Sequence, residues 1–156
     1  MFTLEIQETF SAAHVLDSSY SKECQELHGH NWKVTVHVST HCLNESNMVI
    51  DFKNLKEIFR KVISEFDHAL IVPASLVKWC MDSKYLYIVK TDFMEMYVSK
   101  DAKTVITEGN STAEELCFLI YEKFKDKIWS WGTVSKIEIE ETENNKCVFV
   151  PENGGM

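Results

Sequence analysis

The stretch FTLEIQETFSAAH, residues 2–14, decides the fold class. Phe2, Leu4, Ile6, Phe10 and Ala12 fall on one face and Thr3, Glu5, Gln7, Thr9 and Ser11 on the other, the period of two that a half-buried β-strand presents. His14 closes the strand on its apolar side. The same period returns from His30, with Trp32, Val34, Val36 and Val38 opposed to Asn31, Lys33, Thr35, His37 and Ser39, and the polar segment 15–27 is a connection.

Beyond a turn at residues 44–47, Asp51 is placed to cap a helix whose apolar residues Phe52, Leu55, Ile58, Phe59, Val62, Ile63 and Phe66 recur at helical spacing. That helix is expected to end near Asp67. Two overlapping capping-box patterns, Ser111 to Glu114 and Thr112 to Glu115, announce a second helix carrying Leu116, Leu119, Ile120, Phe124 and Ile128. A strand at Val134 to Thr142, a turn at 143–146 and a strand at Cys147 to Val150 follow, before Pro151 and a Gly-rich tail. Between the helices, the apolar runs within 72–108 predict an inserted β-hairpin. The expectation is one α+β domain over 1–156: an antiparallel four-stranded sheet, two helices on one face, and the inserted β element. Its two unpaired edges favour oligomerisation.

Composition narrows the function. Twenty-four acidic against sixteen basic residues give a net charge of −8, and Arg60 is the only arginine, so a phosphate-gripping surface for nucleic acid is not expected. The first residues carry no secretory pattern, and no apolar run is long enough to cross a bilayer. Five cysteines, at 24, 42, 80, 117 and 147, are scattered without a CxxC, which suits a reducing cytoplasm. The last four of them are expected to be packing residues.

The chemistry gathers in CQELHGHNW, residues 24–32. On an extended segment His28 and His30 point to the same side with Cα atoms roughly 6.5 to 7 Å apart, and Gly29 permits close backbone approach between them. His14 and His30 both lie on apolar faces, so pairing of the two strands brings three imidazoles together. Three neutral histidines are a ligand set for catalytic zinc; the competing reading makes His28 and His30 strand-edge residues and His14 a hydrogen-bonded core histidine. Cys24 is open between fourth ligand, nucleophile and base. His37 and His41 are assigned to the surface. Asp67-His68 is either a proton-transfer pair or a helix-terminal histidine. Glu141 shares the face of Ile137 and Ile139 and is either an inward carboxylate that binds a cationic or amidine-like ligand group or a strand-end residue turning to solvent.

Six motifs in order, FSAAH (10–14), Cys24-x3-HGHN (24–31), MVIDFKNLK (48–56), FDHALI (66–71), STAEEL (111–116) and EET (140–142), resemble the 6-pyruvoyltetrahydropterin and 6-carboxytetrahydropterin synthase family. The resemblance covers nearly the whole chain except about 72–108. It implies a T-fold assembled as trimers or hexamers with active sites at subunit interfaces, zinc on His14, His28 and His30, Cys24 as catalytic base, Asp67-His68 as proton relay, and Glu141 as anchor of a pterin ring. The three-residue gap between Cys24 and His28 looks like the carboxy-type enzyme, a lyase on the route to queuosine. That enzyme converts 7,8-dihydroneopterin triphosphate to 6-carboxytetrahydropterin with loss of acetaldehyde and triphosphate. The alternatives are the pyruvoyl-type enzyme and a non-catalytic zinc- and pterin-binding oligomer. Ser111 departs from the proline that many relatives carry, and Lys22 and Lys53 are the candidate phosphate contacts.

Overall fold

The computed structural model describes residues 1–17, 21–80 and 85–152; residues 18–20 of the expected connection and the Gly-rich tail from 153 lie outside them. Strand β1 (Phe2–His14) pairs antiparallel with β2 (His28–Thr40) along its whole length, from Phe2 opposite Thr40 to His14 opposite His28. Ile6, Phe10, Trp32, Val34 and Val36 are all buried in this register, and a slip of one residue would turn that set to the other face. Strand β8 (Thr133–Thr142) pairs with the far side of β2, and β9 (Asn145–Phe149) with β8.

The sheet has six strands rather than the expected four. Between the helices, β3 (Leu70–Pro73) adds parallel to β1, and β7 (Thr104–Thr107) adds parallel to β3. These segments, LIVP and TVIT, are four residues each, too short to display a period, and their pairing is non-local. The intervening chain is also more than a hairpin: β4 (Val77–Trp79), β5 (Tyr85–Lys90) and β6 (Glu95–Ser99) form a separate antiparallel sheet. Val15, Val72, Tyr87, Val89 and Val98 give it a small core of its own.

Helices α2 (Phe52–Ile63) and α3 (Ala113–Ile128) start where their caps predict; the label α1 belongs to a short turn of helix at Lys22–Gln25 inside the expected connection. The Asp51 carboxylate accepts from the N–H groups of Lys53 and Asn54, filling donors a helix start leaves open. Of the two capping patterns, Thr112 accepts from the Glu115 N–H, while the Glu115 carboxylate accepts from Gly109 N–H. Helix α2 stops at Ile63, ahead of Asp67, and the chain continues in tight turns with Ser64 N–H on Arg60 and Asp67 N–H on Ile63. Leu55, Phe59 and Val62 meet Leu116, Ile120 and Phe124 in one core with the sheet, and the Phe59 and Phe124 rings stand edge to face at 5.2 Å.

Two side chains differ from expectation. His37 is buried, not on the surface: its Nε2 lies 3.3 Å from Glu138 and its Nδ1 3.8 Å from Glu5. Long charged neighbours on adjacent strands cover it, which a single-strand period does not reveal. Cys42 is exposed rather than packed, whereas Cys117 is fully buried. Among the described residues no helix is long and apolar enough to cross a membrane.

Removing a cap and removing a core ring should separate cleanly in urea unfolding. Asp51→Ala is expected to cost about 1 kcal/mol and Phe59→Ala about 3 to 5 kcal/mol; equal losses would contradict this account of the core.

Candidate metal and active centre

The register that places His14 opposite His28 also sets His30 one pleat away on the same face, opposite Ala12. The three rings therefore converge: centroids of His14 and His28 are 4.3 Å apart, and each is 5.2 Å from His30. One ring nitrogen from each lies within 4.8 Å of the others, so the trio can hold a metal ion. Trp32 closes the cluster edge-on to both His14 and His30, at 5.2 and 5.3 Å.

Carbonyl groups set which nitrogens face inward. His14 Nδ1 donates to the Ser111 carbonyl at 2.7 Å and His28 Nδ1 to the Glu26 carbonyl at 2.8 Å, because a carbonyl can only accept. The proton thus sits on Nδ1 of each ring and Nε2 keeps its lone pair. His14 Nε2 is buried without a hydrogen-bond partner, an expensive state for a polar atom unless something binds it. This donor set fits a divalent transition metal, and zinc among them. Burial pulls the His14 pKa down to about 4, opposed by the Ser111 bond and assisted by His28 and His30. Burial is also the largest cause lowering His30, partly offset by Glu141.

Beside the cluster, a cleft of about 330 Å³ is lined by His14, His28, Cys24, Glu141, Thr112 and Lys146, among others. Cys24 lies on α1, where the Ser21 hydroxyl caps the turn and sits 3.5 Å from its sulfur. Glu141 follows Ile137 and Ile139 inward at an irregularity in the β8–β9 pairing between Glu140 and Thr142. Its Oε1 is 3.4 Å from His30 Nε2 and 3.7 Å from His14 Nε2, while Glu140 faces the other way onto Lys33 at 2.6 Å.

Asp67-His68 opens on a different cleft, of about 420 Å³, which His68 lines together with Ser11, Ala13, Gly29, His30 and Asn31. His68 takes a left-handed backbone with φ 57°, held by its N–H on the Ser11 carbonyl at 2.7 Å. Asp67 Oδ1 accepts from Ser11 N–H at 3.0 Å, and Oδ2 lies 3.0 Å from His68 Nδ1. The Ser11 bond, then His68, hold the Asp67 carboxyl below its usual range. One chain thus unites His14, His28, Cys24 and Glu141 in one cleft and leaves His68 in another. Lys22 pairs with Glu26 and lies over the Phe93 ring. Thr112, Lys146 and the Ser111 carbonyl were not singled out for the site by sequence; the capping pattern at 111–115 reached Ser111 and Thr112, and Lys146 was read only as part of the turn at 143–146.

The family model described as 6-pyruvoyl tetrahydropterin synthase matches residues 3–152. A protein of Haemophilus influenzae named 6-carboxy-5,6,7,8-tetrahydropterin synthase is 30% identical over 153 residues, covering 96% of this chain and 99% of its own. A protein of Pyrococcus horikoshii, named as a putative enzyme of the same activity, is 33% identical over 130 residues, covering 83% and 76%. Among solved structures, a catalytic-residue mutant of the Plasmodium vivax 6-pyruvoyltetrahydropterin synthase superposes with a TM-score of 0.74 at 21% identity, covering 95% of this chain and 96% of that one. The Caenorhabditis elegans 6-pyruvoyl tetrahydropterin synthase gives 0.63 at 25% identity, covering 97% and 96%. The six-stranded α+β arrangement is the T-fold.

Protonation of the cluster should be visible as stability. The unfolded chain binds a proton on His14 near pH 6.5, the folded chain only near 4, so between those values the unfolded state holds more protons and stability falls as pH falls. His30 contributes with the same sign. Urea midpoints of the metal-free protein are expected to drop across this window, with a shallower drop in His14→Gln; a pH-independent midpoint would contradict the buried neutral imidazole.

Proposed function

The chain belongs to the 6-pyruvoyl tetrahydropterin synthase family and is a pterin synthase; from that premise we propose that it is a zinc-dependent 6-carboxy-5,6,7,8-tetrahydropterin synthase. It converts 7,8-dihydroneopterin triphosphate to 6-carboxytetrahydropterin, releasing acetaldehyde and triphosphate, on the route to queuosine-type deazapurines. The observation that carries this reading is the buried His14 Nε2, without a hydrogen-bond partner and grouped with His28 and His30 beside a cleft that Cys24 lines. The names of the relatives and the Cys24-x3-His28 spacing support the carboxy-type product. Cys24, Cys42, Cys117 and Cys147 are free thiols, which suits a reducing cytoplasm.

In this reading His14, His28 and His30 hold the zinc. Bound there, the metal supplies Lewis-acid polarisation of the side-chain oxygens of the substrate, which acidifies the adjoining C–H groups. Cys24 removes a proton on its side as the thiolate. His68 moves protons on the other side through Nε2, its Nδ1–H held by Asp67, whose own place is fixed by Ser11 N–H. Glu141 accepts the N–H donors of the pterin's aminopyrimidine ring, replacing solvent with a fixed charge-assisted pair.

Cys24 and His68 line separate clefts of one chain, which supports a site completed by a second subunit, as in the trimer or hexamer of this reading. Mixing inactive Cys24→Ala and His68→Ala proteins under conditions of subunit exchange is expected to restore part of the turnover. No recovery in exchanged oligomers would contradict a shared site.

The assay that tests the proposal supplies 7,8-dihydroneopterin triphosphate to the zinc-loaded protein and identifies products by mass spectrometry. 6-Carboxytetrahydropterin with acetaldehyde is expected; 6-pyruvoyltetrahydropterin without acetaldehyde would move the protein to the pyruvoyl-type reaction. His28→Ala should lose the metal. Cys24→Ala should keep it while turnover falls at least about a hundredfold, and metal loss in Cys24→Ala would refute its role as base.

A further inference from the structure

Ser111 precedes α3 and is fully buried, and every polar group it owns is engaged. Its carbonyl accepts from His14 Nδ1 at 2.7 Å. Its hydroxyl donates to the Val15 carbonyl at 2.6 Å. Its N–H donates to Asn110 Oδ1 at 3.2 Å, and the same oxygen accepts from Asp17 N–H at 3.2 Å. The turn before α3 is thus tied to three positions of the chain leaving β1, at 14, 15 and 17.

We propose that Ser111 is a positioning residue for the metal centre: its hydroxyl, locked onto Val15, holds its own carbonyl where His14 must place its proton on Nδ1, so that Nε2 carries the lone pair toward His28 and His30. The bond to Val15 is the handle, since a side-chain substitution leaves the carbonyl itself in place. Without the hydroxyl, the buried Val15 carbonyl loses its donor, and an unsatisfied buried carbonyl drives local rearrangement of the backbone. Rearrangement at Val15 moves both its neighbour His14 and the partner turn. A histidine ligand whose second nitrogen is no longer held by an oriented acceptor loses its tautomer preference and part of its affinity for metal.

This inference rests on the zinc reading only for its affinity arm; the tautomer arm is read without metal. The test labels histidine nitrogens with ¹⁵N and records long-range ¹⁵N–¹H spectra of the metal-free protein at pH 8, alongside zinc affinity by competition with a chromophoric chelator. Wild type is expected to show His14 with its proton on Nδ1. Ser111→Ala should show both tautomers and bind zinc about tenfold more weakly, and Ser111→Thr, which keeps the hydroxyl, should restore both readouts. Should the alanine variant fail to fold, Ser111→Cys keeps the volume with a weaker donor and should shift both readouts in the same direction. Asp51→Ala, which loosens the distant α2 cap, controls for general destabilisation and should move neither. A single Nδ1–H tautomer in Ser111→Ala overturns the proposal, as does a loss of affinity no larger than that of Asp51→Ala. If wild type binds no zinc, the metal reading fails, while the tautomer of Ser111→Ala still decides the role of the hydroxyl.

Discussion

The register of β1 against β2 is the constraint on which the rest of this molecule depends. It is held by burial: Ile6 and Phe10 on one strand and Trp32, Val34 and Val36 on the other all reach the core only in this alignment. The same alignment sets His14 opposite His28. A one-residue slip would move apolar side chains to the exposed face and scatter the imidazoles at once. Folding energy and side-chain geometry are therefore drawn from the same pairing, and the histidine cluster sits on two strands of 13 residues each, paired along their whole length, a support suited to holding it in place.

Burial gives the cluster its chemistry as well as its place. His14 is held neutral by desolvation, which keeps a lone pair available at neutral pH, and carbonyls at Ser111 and Glu26 decide which nitrogen offers it. A different device holds the helix-free face. There Glu138 is pulled down to about 2, first by Lys136 and then by Lys146, a carboxylate whose contribution is present above its ordinary value near 4.5 and fades as pH falls toward 2. The two titrations occupy successive windows that meet between about 4 and 4.5, and in both the folded protein weakens on acidification.

Much of this was legible in the sequence because local periods and local chemistry carried it. The long strands, both long helices and their caps at Asp51 and Thr112, and the convergence of His14, His28 and His30 all followed from spacing and phase. The short parallel strands at Leu70–Pro73 and Thr104–Thr107 were not legible, since four residues contain no period and their partners are distant. The cover over His37 was missed for a related reason: it comes from Glu138 and Glu5 on neighbouring strands. Ser111 was legible as part of a capping pattern but not as the acceptor for His14, a contact across 97 residues that no motif announces. The separation of Cys24 from His68 into two clefts likewise needed the fold, because sequence order says nothing about which side of a sheet a loop will occupy.

X-ray absorption at the zinc edge of the metal-loaded protein tests the central claim most directly. The account predicts a shell of imidazole nitrogens at about 2.0 to 2.1 Å, completed by light donor atoms and without sulfur. A sulfur neighbour at about 2.3 Å would contradict it, making Cys24 a ligand of a closed, structural site instead of the base beside an open one.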